Sequence, residues 1–482
     1  MRKAIAVLIL CAFPGFVCSA AIGPYTQWDV GPSGSDSNGG GFDHPTAGGC
    51  GTDESQQNSG TAVTIVAAGT TGTSTPAFTS TTHGPCNFIN ISGGTGCTVG
   101  VYELLSQSSG TGTFSSSMGT GTCTGILGGR NLTVAQPLAQ SIAGNMIWVM
   151  YGTYTPGATL SQPNSGDIQV YGYNAAHGDI TQLCSVSPTV CPTIATSTNA
   201  QDGWDASTLA PTALGNINFT TTAGTPGYGV LKTHTNGYVQ IYNCTFTGFL
   251  NAINGDNVGS HFIISYLYVT QTVINNSTSY GIVNQNGINI SYSLIENSGN
   301  HGIFASSSSL APVTVSHTVF YKNGAKGIDT GTFATCDFCA FDQNTGDGFY
   351  TASISNQPGS SNSIYWGNGG YGINYAGTQS SSQPPLNLYA LNNAFGSNTS
   401  GAASPNWTFA IGIPNTTVTL TANPFVSDST GNFALNSTSG GGALLKATGF
   451  PGVAPFGTGY SDIGPLQHQA AAAAYSAVAY VQ

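Results

Sequence analysis

The sequence predicts an all-β fold, a right-handed parallel β-helix in which short strands wind into stacked coils. Three observations lead to this prediction: a repeat with intervals of 21 to 25 residues, apolar residues that alternate within short segments, and a very low content of charge. Repeats of this length are typical of solenoids, whose units bury their apolar faces against their neighbours. No segment shows the apolar spacing of a long helix, so strands and turns are expected throughout the coils.

The repeat is a glycine followed by isoleucine or phenylalanine, and an Asn- and Gly-rich turn precedes it. Its five copies are Tyr280-Gly281-Ile282, His301-Gly302-Ile303, Lys326-Gly327-Ile328, Asp347-Gly348-Phe349 and Tyr371-Gly372-Ile373. Equivalent positions of stacked coils lie about 4.8 Å apart. The residue before each glycine is therefore predicted to belong to one outward column of side chains.

An asparagine follows each strand of this region within a few positions. These residues are Asn297, Asn323, Asn344 and Asn368. Asparagine tolerates left-handed backbone, and its side chain can hydrogen-bond to its copy on the next coil. The sequence therefore predicts stacked asparagine turns.

Only 5% of the 482 residues are charged, whereas 40% are hydrophobic, and the net charge at pH 7 is −11. Disordered chains combine low hydrophobicity with high net charge, so this composition indicates an ordered chain. Like charges repeated every 4.8 Å repel by about 0.9 kcal/mol even in water, which favours Asn, Ser and Thr columns instead. The negative charge argues against nucleic acid and anionic membranes as partners.

Four segments are predicted. Residues 1–21 have a basic start, an apolar stretch and small residues near Ala20, which is typical of a secretory signal peptide. Residues 22–140 are predicted to form a β-rich entry or cap region, residues 141–468 the β-helix, and residues 469–482 an Ala-rich tail. No segment after the leader is long and apolar enough to span a bilayer. We therefore expect a secreted or cell-surface protein without membrane insertion.

Nine cysteines follow residue 21, and disulfides are the expected state in an exported protein. Cys184 and Cys191 are close enough in sequence to bridge a loop, as are Cys86 and Cys97. The Cys336-x-x-Cys339 pair is compatible with a local disulfide, a redox pair or half a zinc site, and the disulfide is favoured. Because nine is odd, one thiol should stay free, and Cys244 is predicted to be that buried thiol.

Several segments resemble pectin-lyase-like right-handed β-helix proteins. Residues 30–39 (VGPSGSDSNG) resemble the opening of these proteins, and residues 145–154 (NMIWVMYGTY) resemble their first strand and turn. Residues 423–426, 433–435 and 461–464 resemble their closing segment. The layout is also similar to that of uncharacterised β-helix proteins of environmental bacteriophages and aquatic bacteria. The resemblance is specific for the fold and implies no single activity.

The resemblance implies two enzymatic patterns, and neither carries over to this sequence. Polysaccharide lyases of this fold use an arginine or lysine base with calcium held by carboxylates, but Arg130 is the only arginine after the leader. Polygalacturonase-like hydrolases have paired aspartates, a Gly-His-Gly and an Arg-x-Lys. Here Asn300-His301-Gly302 matches only in part, and the other two motifs are absent.

The outward column provides the candidate site. His301, Lys326 and Asp347 are candidate catalytic residues, since three such groups on successive coils lie within hydrogen-bonding reach. Rings that stack on sugar faces and nearby carboxylates are candidate ligand contacts: Tyr280, Asp329, Asp342, Tyr350, Tyr365, Trp366 and Tyr371. The alternative is that mixed charges in the column only support stacking.

No cofactor is predicted, with calcium as the one possible exception. Asp36, Asn38 and Asp43 have the spacing that begins a calcium loop, but Ala47 stands where the bidentate glutamate would be. A Gly-rich turn is the competing interpretation.

Three functions follow from these observations. The first is binding of extracellular or cell-surface polysaccharide by an adhesin-like or spike-like module, for which the resemblance makes a homotrimer and association with a virion possible. The second is a polysaccharide lyase or glycoside hydrolase, and the third is a structural virion or envelope component. An enzyme needs at least two titratable groups that converge in a groove, whereas a binding protein needs only rings and amides.

Overall fold

A computed structural model describes residues 26–43, 49–163, 167–206, 211–232, 237–255, 266–284, 287–305, 312–331, 333–352, 359–376, 389–404, 417–449 and 461–467. Almost all regular structure in these ranges is strand, and the predicted fold class, a parallel β-helix with an N-terminal β-rich cap, is confirmed. The exceptions are a helix at Ala135–Gln140 and 3-10 turns at Asp428–Thr430 and Gly442–Leu444. None of the described helices has the length and hydropathy needed to cross a bilayer. The predicted signal peptide and the Ala-rich tail lie outside the described residues.

Three long sheets run along the β-helix, and each coil contributes one strand to each sheet. The first sheet contains, in spatial order, Gly41–Phe42, Gln27–Val30, Met146–Met150, Ile168–Tyr173, Thr212–Gly215, Val239–Tyr242, Leu267–Thr270, Ile288–Ser291, Val313–Ser316, Ala334–Asp337, Gly359–Ser361 and Tyr389–Leu391. Only the contact between the first two of these strands is antiparallel.

The second sheet contains Thr153–Tyr154, Thr193–Thr196, Asn218–Thr221, Thr245–Thr247, Val273–Asn275, Leu294–Glu296, Val319–Tyr321, Ala340–Asp342, Ile364–Trp366, Ala394–Gly396 and Val418–Thr419. The third sheet contains Leu160–Ser161, Trp204–Asp205, Val230–Leu231, Ile253–Gly255, Ile282–Asn284, Ile303–Ala305, Ile328–Thr330, Phe349–Thr351, Tyr371–Tyr375 and Gly401–Ala403. Residues of one coil pair in register with equivalent residues of the next, so like side chains form columns.

Alternate side chains of every strand point into the helix and form its core. Phe320, Phe341, Tyr365 and Phe395 stack along the interior, with successive ring centroids 4.9, 4.8 and 5.0 Å apart. This distance equals the spacing of neighbouring strands, so each ring covers the face of the next. Tyr365, predicted as a surface ligand contact, is fully buried in this stack, and that prediction is wrong.

A ladder of buried asparagines joins the second sheet to the third. The side-chain amide of Asn323 donates to Oδ1 of Asn344, that of Asn344 to Asn368, and that of Asn368 to Asn398, each over 2.9 Å. Each of these three amides also donates to a backbone carbonyl of the preceding coil, as Asn344 does to Phe320. The ladder thereby satisfies polar groups that the turns would otherwise bury without partners.

In each of these turns the residue with left-handed backbone is the one that precedes the asparagine of the ladder. Its φ is 50° at Lys322 and 54° at Gln343. Asn297 also has a left-handed φ, of 53°, so Ser298 takes the ladder position on that coil. The prediction of one asparagine with both roles is therefore wrong, because the two roles belong to adjacent positions.

The predicted cap region contains a closed antiparallel barrel with its own apolar core. Its strands, in order around the barrel, are Thr61–Ala68, Thr71–Phe78, Gly110–Phe114, Gly100–Ser108, Phe88–Cys97 and Gly119–Leu127. The strand Gln27–Val30 precedes the barrel in sequence but pairs in parallel with Met146–Met150 of the first sheet. The β-helix therefore begins before the barrel, which is inserted between the first two parallel strands of the first sheet.

A buried carboxylate connects the barrel entry to the first coils. Asp29 has no exposed surface and accepts hydrogen bonds from Ser55 Oγ at 2.9 Å and Tyr173 OH at 3.1 Å. His177 Nε2 lies 2.8 Å from the same carboxylate, and its ring stacks on Trp148 at 4.3 Å. These three partners come from two segments that are far apart in sequence, so Asp29 fixes the position of the barrel entry against the β-helix.

The C-terminal segment crosses the outer face of the second sheet. Its hairpin pairs Phe425–Ser427 with Asn432–Leu435. Phe433 and Leu445 pack there against the outward side chains Val319 and Ile364. The second sheet is therefore covered over its later coils.

Three disulfides occur in the described residues, and they join Cys50 to Cys86, Cys97 to Cys123, and Cys184 to Cys191. The last pairing agrees with the sequence spacing, whereas the suggested Cys86–Cys97 bond is wrong because Cys86 is bonded to Cys50 and Cys97 to Cys123. Cys336 and Cys339 are free buried thiols, so the predicted local disulfide is also wrong. Cys244 is free and buried as predicted, but it is one of three such thiols.

Candidate functional site

The repeated glycines bring the predicted column together on the third sheet. A Cβ at Gly302 would lie 2.6 Å from the carbonyl oxygen of Gly327, so only glycine allows the coils to approach this closely here. The backbone N–H of Gly302 donates to the carbonyl of Lys326, and that of Gly327 donates to Asp347. The residues before the glycines consequently lie side by side on successive coils, as the repeat predicted.

A second outward column runs beside the first and belongs to the strands of the third sheet. In it Phe304 pairs with Asp329, and Asp329 pairs with Tyr350. We define the third-sheet patch as the surface formed by both columns: Tyr280, His301, Phe304, Lys326, Asp329 and Tyr350. Each of these side chains is half-buried.

Three rings of the patch lie nearly parallel. The centroid of Tyr280 is 5.7 Å from that of His301 and 5.3 Å from that of Phe304, with interplanar angles of 23° and 24°. His301 and Phe304 are 5.7 Å apart at 17°. Parallel rings on a surface provide a flat apolar area with polar edges. Phe304 was not predicted as a site residue. It follows His301 by three residues, as Asp329 follows Lys326 and Tyr350 follows Asp347, so the repeat could have revealed it.

The imidazole of His301 is held as a neutral ring. Its Nδ1 accepts the backbone N–H of Lys326 at 3.1 Å, and its Nε2 lies 3.3 Å from Oδ2 of Asp329. An Nδ1 that accepts a hydrogen bond carries no proton, so the proton is on Nε2, which donates to the carboxylate. Burial lowers the pKa of His301 and outweighs the opposing effect of Asp329.

Lys326 is fixed by two partners. Its Nζ donates to Oδ2 of Asp329 at 2.9 Å and lies 3.1 Å from the ring centroid of Tyr350. The ion pair and the cation–π contact together restrict a side chain that would otherwise have considerable rotamer freedom. Asp329 thus links the lysine to the histidine.

Asp347 does not join this group. Its side chain is buried, with Oδ1 accepting the backbone N–H of Tyr371 at 2.7 Å and Oδ2 accepting the amide of Asn374 at 2.9 Å. The predicted catalytic set of His301, Lys326 and Asp347 is therefore not assembled, because Asp347 caps the next coil. Asp329 takes the position between the lysine and the histidine instead.

Two further predicted contacts lie on a different face. Asp342 and Trp366 are neighbours in the second sheet, where the C-terminal segment packs over them. Asp342 is fully buried, and its burial followed by the adjacent carboxylate of Asp428 raises its pKa to about 9. The expectation that Asp342 lies near the column of Lys326 is therefore wrong, and Trp366 does not share a sheet with Tyr350, with which it was expected to form an aromatic cluster.

The candidate calcium residues have separate protein partners. Asp36 accepts the backbone N–H groups of Leu132 and Thr133, and the amide of Asn38 donates to the carbonyl of Arg130. Asp43 lies beside Glu103, whose pKa is raised to about 7 by burial and then by Asp43. Within the described residues no three His, Cys, Asp or Glu side chains are grouped as metal ligands. Asp36 and Asn38 therefore belong to a hydrogen-bonded turn, and calcium binding at this segment, part of which (44–48) lies outside the described residues, stays a prediction.

Comparison with known proteins identifies similar folds only. No family model and no curated protein matches the chain. The solved structures that resemble it include pectate lyase Pel9A, with 12% identity, a TM-score of 0.36 and coverage of 70% of this chain and 92% of that one. The catalytic domain of a GH87 α-1,3-glucanase in complex with nigerose has 13% identity, a TM-score of 0.32 and coverage of 80% and 93%.

A third similar structure is the periplasmic alginate epimerase AlgG, with 10% identity, a TM-score of 0.29 and coverage of 61% of this chain and 84% of that one. In all three cases the similarity is one of backbone path, and the sequence identity is low. The activity of this protein is therefore argued from its own residues.

Proposed function

We propose that this protein binds extracellular or cell-surface polysaccharide at the third-sheet patch, without turning it over. The observation that carries the proposal is the parallel group of Tyr280, His301 and Phe304 next to the fixed Lys326–Asp329 pair. Sugar rings present apolar C–H faces and a rim of hydroxyls. The aromatic rings match the faces, and the ion pair offers oriented donors and acceptors to the hydroxyls.

Binding is favoured over catalysis because the groups that could transfer a proton have protein partners. Nδ1 of His301 accepts a backbone N–H, and both oxygens of Asp347 accept hydrogen bonds. A general acid or base needs a free position and a pKa near the working pH. The carboxyls whose pKa is raised to about 7 or 9 lie away from the patch: Glu296 and Asp342 are on the second sheet, and Glu103 is in the barrel.

The charge of the chain favours an uncharged polysaccharide. With a net charge of −11, the protein repels uronate polymers unless cations accompany them. An exported location is part of the proposal, and the three disulfides support it because such bonds persist in oxidising compartments.

Removal of a ring from the patch is expected to weaken binding. We expect Tyr350→Ala and Phe304→Ala each to reduce the affinity for the bound polysaccharide about tenfold, which corresponds to about 1.4 kcal/mol. Tyr350→Ala also removes the ring beneath the lysine ammonium. Affinity electrophoresis on gels that contain neutral or uronate polysaccharides, with and without calcium, measures the effect. Tyr242→Ala is the matched control, since Tyr242 is an exposed tyrosine on the first sheet.

The same polysaccharides are incubated with the protein and assayed for new reducing ends and unsaturated products. We expect no turnover. Turnover that Lys326→Ala abolishes would contradict the proposal and support a lyase or hydrolase. Binding that is equally strong in Tyr350→Ala and in Tyr242→Ala would exclude the patch as the binding surface.

A further inference from the structure

The second sheet carries a groove that the third-sheet patch does not involve. This cavity of about 310 Å³ lies on the outer face of five successive coils. We define the second-sheet groove by its polar floor, which consists of Asn218, Thr220, Thr245, Thr247, Asn275 and Glu296. Thr193 on the preceding strand extends the lining to five strands, which at a spacing of about 4.8 Å make the groove roughly 19 Å long.

The floor is a regular array of hydroxyls and amides. Thr220 pairs with Thr247, Thr247 with Asn275, and Asn275 with Glu296, so these four side chains form one outward column. Asn218 and Thr245 belong to the neighbouring column. Hydroxyls and amides both donate and accept hydrogen bonds, and here they recur at each coil.

Two other parts of the chain form walls of the groove. One wall is the disulfide-bridged loop from Cys184 to Cys191, where the backbone N–H of Cys184 donates to Asn243 Oδ1 at 2.9 Å. The amide of Asn218 reaches the carbonyl of Pro188 in the same loop at 3.3 Å. The other wall is the C-terminal segment at Gly431. The groove is thus a bounded feature with fixed walls.

Glu296 is the ionisable residue of this lining, and it is 5% exposed. Its carboxyl has no hydrogen-bond partner among the described residues, and the cation that acts on it is Lys322. Burial raises the pKa of Glu296 to about 7, in spite of the lysine. Because Glu296 lines the groove, its carboxyl oxygens can accept hydrogen bonds from a molecule bound there. A ligand with hydroxyl donors would provide that partner.

We infer that the second-sheet groove binds a short segment of an uncharged oligosaccharide, whose hydroxyls bond to the carboxyl of Glu296 and to the threonine and asparagine columns. The lining contains no aromatic ring, so recognition depends on hydrogen bonds and on apolar contacts with Val186 and Val273. Uronates are disfavoured, because their carboxylates would face Glu296. This site is separate from the third-sheet patch and does not rest on the function proposed for it.

The test is calorimetric titration of the whole protein with hexasaccharides of glucose and of mannose, and with hexagalacturonate as the anionic probe. We expect at least one neutral hexasaccharide to bind. Glu296→Gln keeps the shape of the side chain but removes the carboxylate, and about a tenfold loss of affinity is expected. Thr247→Val removes one exposed hydroxyl, and a three- to tenfold loss is expected.

Two controls separate this site from the patch and from misfolding. Thr314→Val makes the same chemical change on the outer face of the first sheet and should leave the affinity unchanged. Tyr350→Ala should also leave the groove's affinity unchanged, even if it abolishes binding at the patch. The inference is overturned if no neutral probe binds, if hexagalacturonate binds more tightly, or if binding survives both Glu296→Gln and Thr247→Val.

Discussion

Replacement of Phe341 by alanine is expected to lower the free energy of unfolding by about 3 to 5 kcal/mol. Phe341 is fully buried, and its ring stacks between those of Phe320 and Tyr365 at 4.9 and 4.8 Å. Removal of the ring leaves a cavity whose walls are the two neighbouring rings, and their spacing is fixed by backbone hydrogen bonds. The site therefore cannot collapse to fill the space, which places the cost in the upper part of the usual range.

The substitution also affects the third-sheet patch. The ring of Phe341 packs beneath Gly327, the residue that follows Lys326. We expect the loss of stability to appear in the midpoint of urea unfolding followed by far-UV circular dichroism. Val426→Ala is the control, since Val426 is 55% exposed and its replacement should change stability by less than about 0.5 kcal/mol. Equal midpoints for the two variants would show that the ring stack does not contribute to stability.

Asp342→Asn is expected to stabilise the protein at neutral pH by up to about 4 kcal/mol. Burial and the neighbouring Asp428 raise the pKa of Asp342 to about 9, from a value near 4 in the unfolded chain. The amide of Gln343 and the charge of Lys322 favour the carboxylate, but burial and Asp428 outweigh them, so the protonated carboxyl is the favoured state. An asparagine is neutral at every pH, and its amide can donate towards Asp428 as the protonated acid does.

The sign of the pH dependence follows from proton binding. Between about pH 4 and pH 9 the folded protein holds a proton that the unfolded chain has lost, so the stability of the wild type falls as the pH rises through this window. Asp342→Asn has no carboxyl to titrate at this position, so this pH dependence is absent from the variant. The unfolding free energies of the wild type and the variant should differ most at pH 8 to 9 and converge near pH 4. Urea titrations across this range measure the difference, and the pH 4 pair is the internal control. A difference that is independent of pH would contradict the raised pKa.

The coils between residues 275 and 375 were predictable because one steric requirement recurs in each of them. A glycine must stand where neighbouring turns approach, and the apolar residue after it must point inward, as Ile303 and Ile328 do. This requirement fixes the register, and the register fixes the column of His301 and Lys326. The barrel was recognised only as β-rich, because closure of its strands depends on pairings between distant segments.

Several errors at the site share one cause, which is that the sequence does not reveal what covers an outward side chain. Asp342 and Trp366 do point outward, but the C-terminal segment lies over them. Tyr365 is different, since its neighbours Ile364 and Trp366 are also apolar and the alternation within the strand is ambiguous. Glu296 was missed for a similar reason, because the groove requires a loop and a C-terminal turn that are far apart in sequence.

The direction of the asparagine ladder has a consequence for the length of the protein. Every ladder amide donates towards the C-terminal neighbour, from Asn323 through Asn344 and Asn368 to Asn398, so the pattern repeats by simple translation. Deletion of residues 345–368 would bring Asn344 into the position of Asn368, with Asn398 as its next acceptor. Whole coils can therefore be gained or lost in evolution in steps of about 4.8 Å, without the need for a new kind of junction.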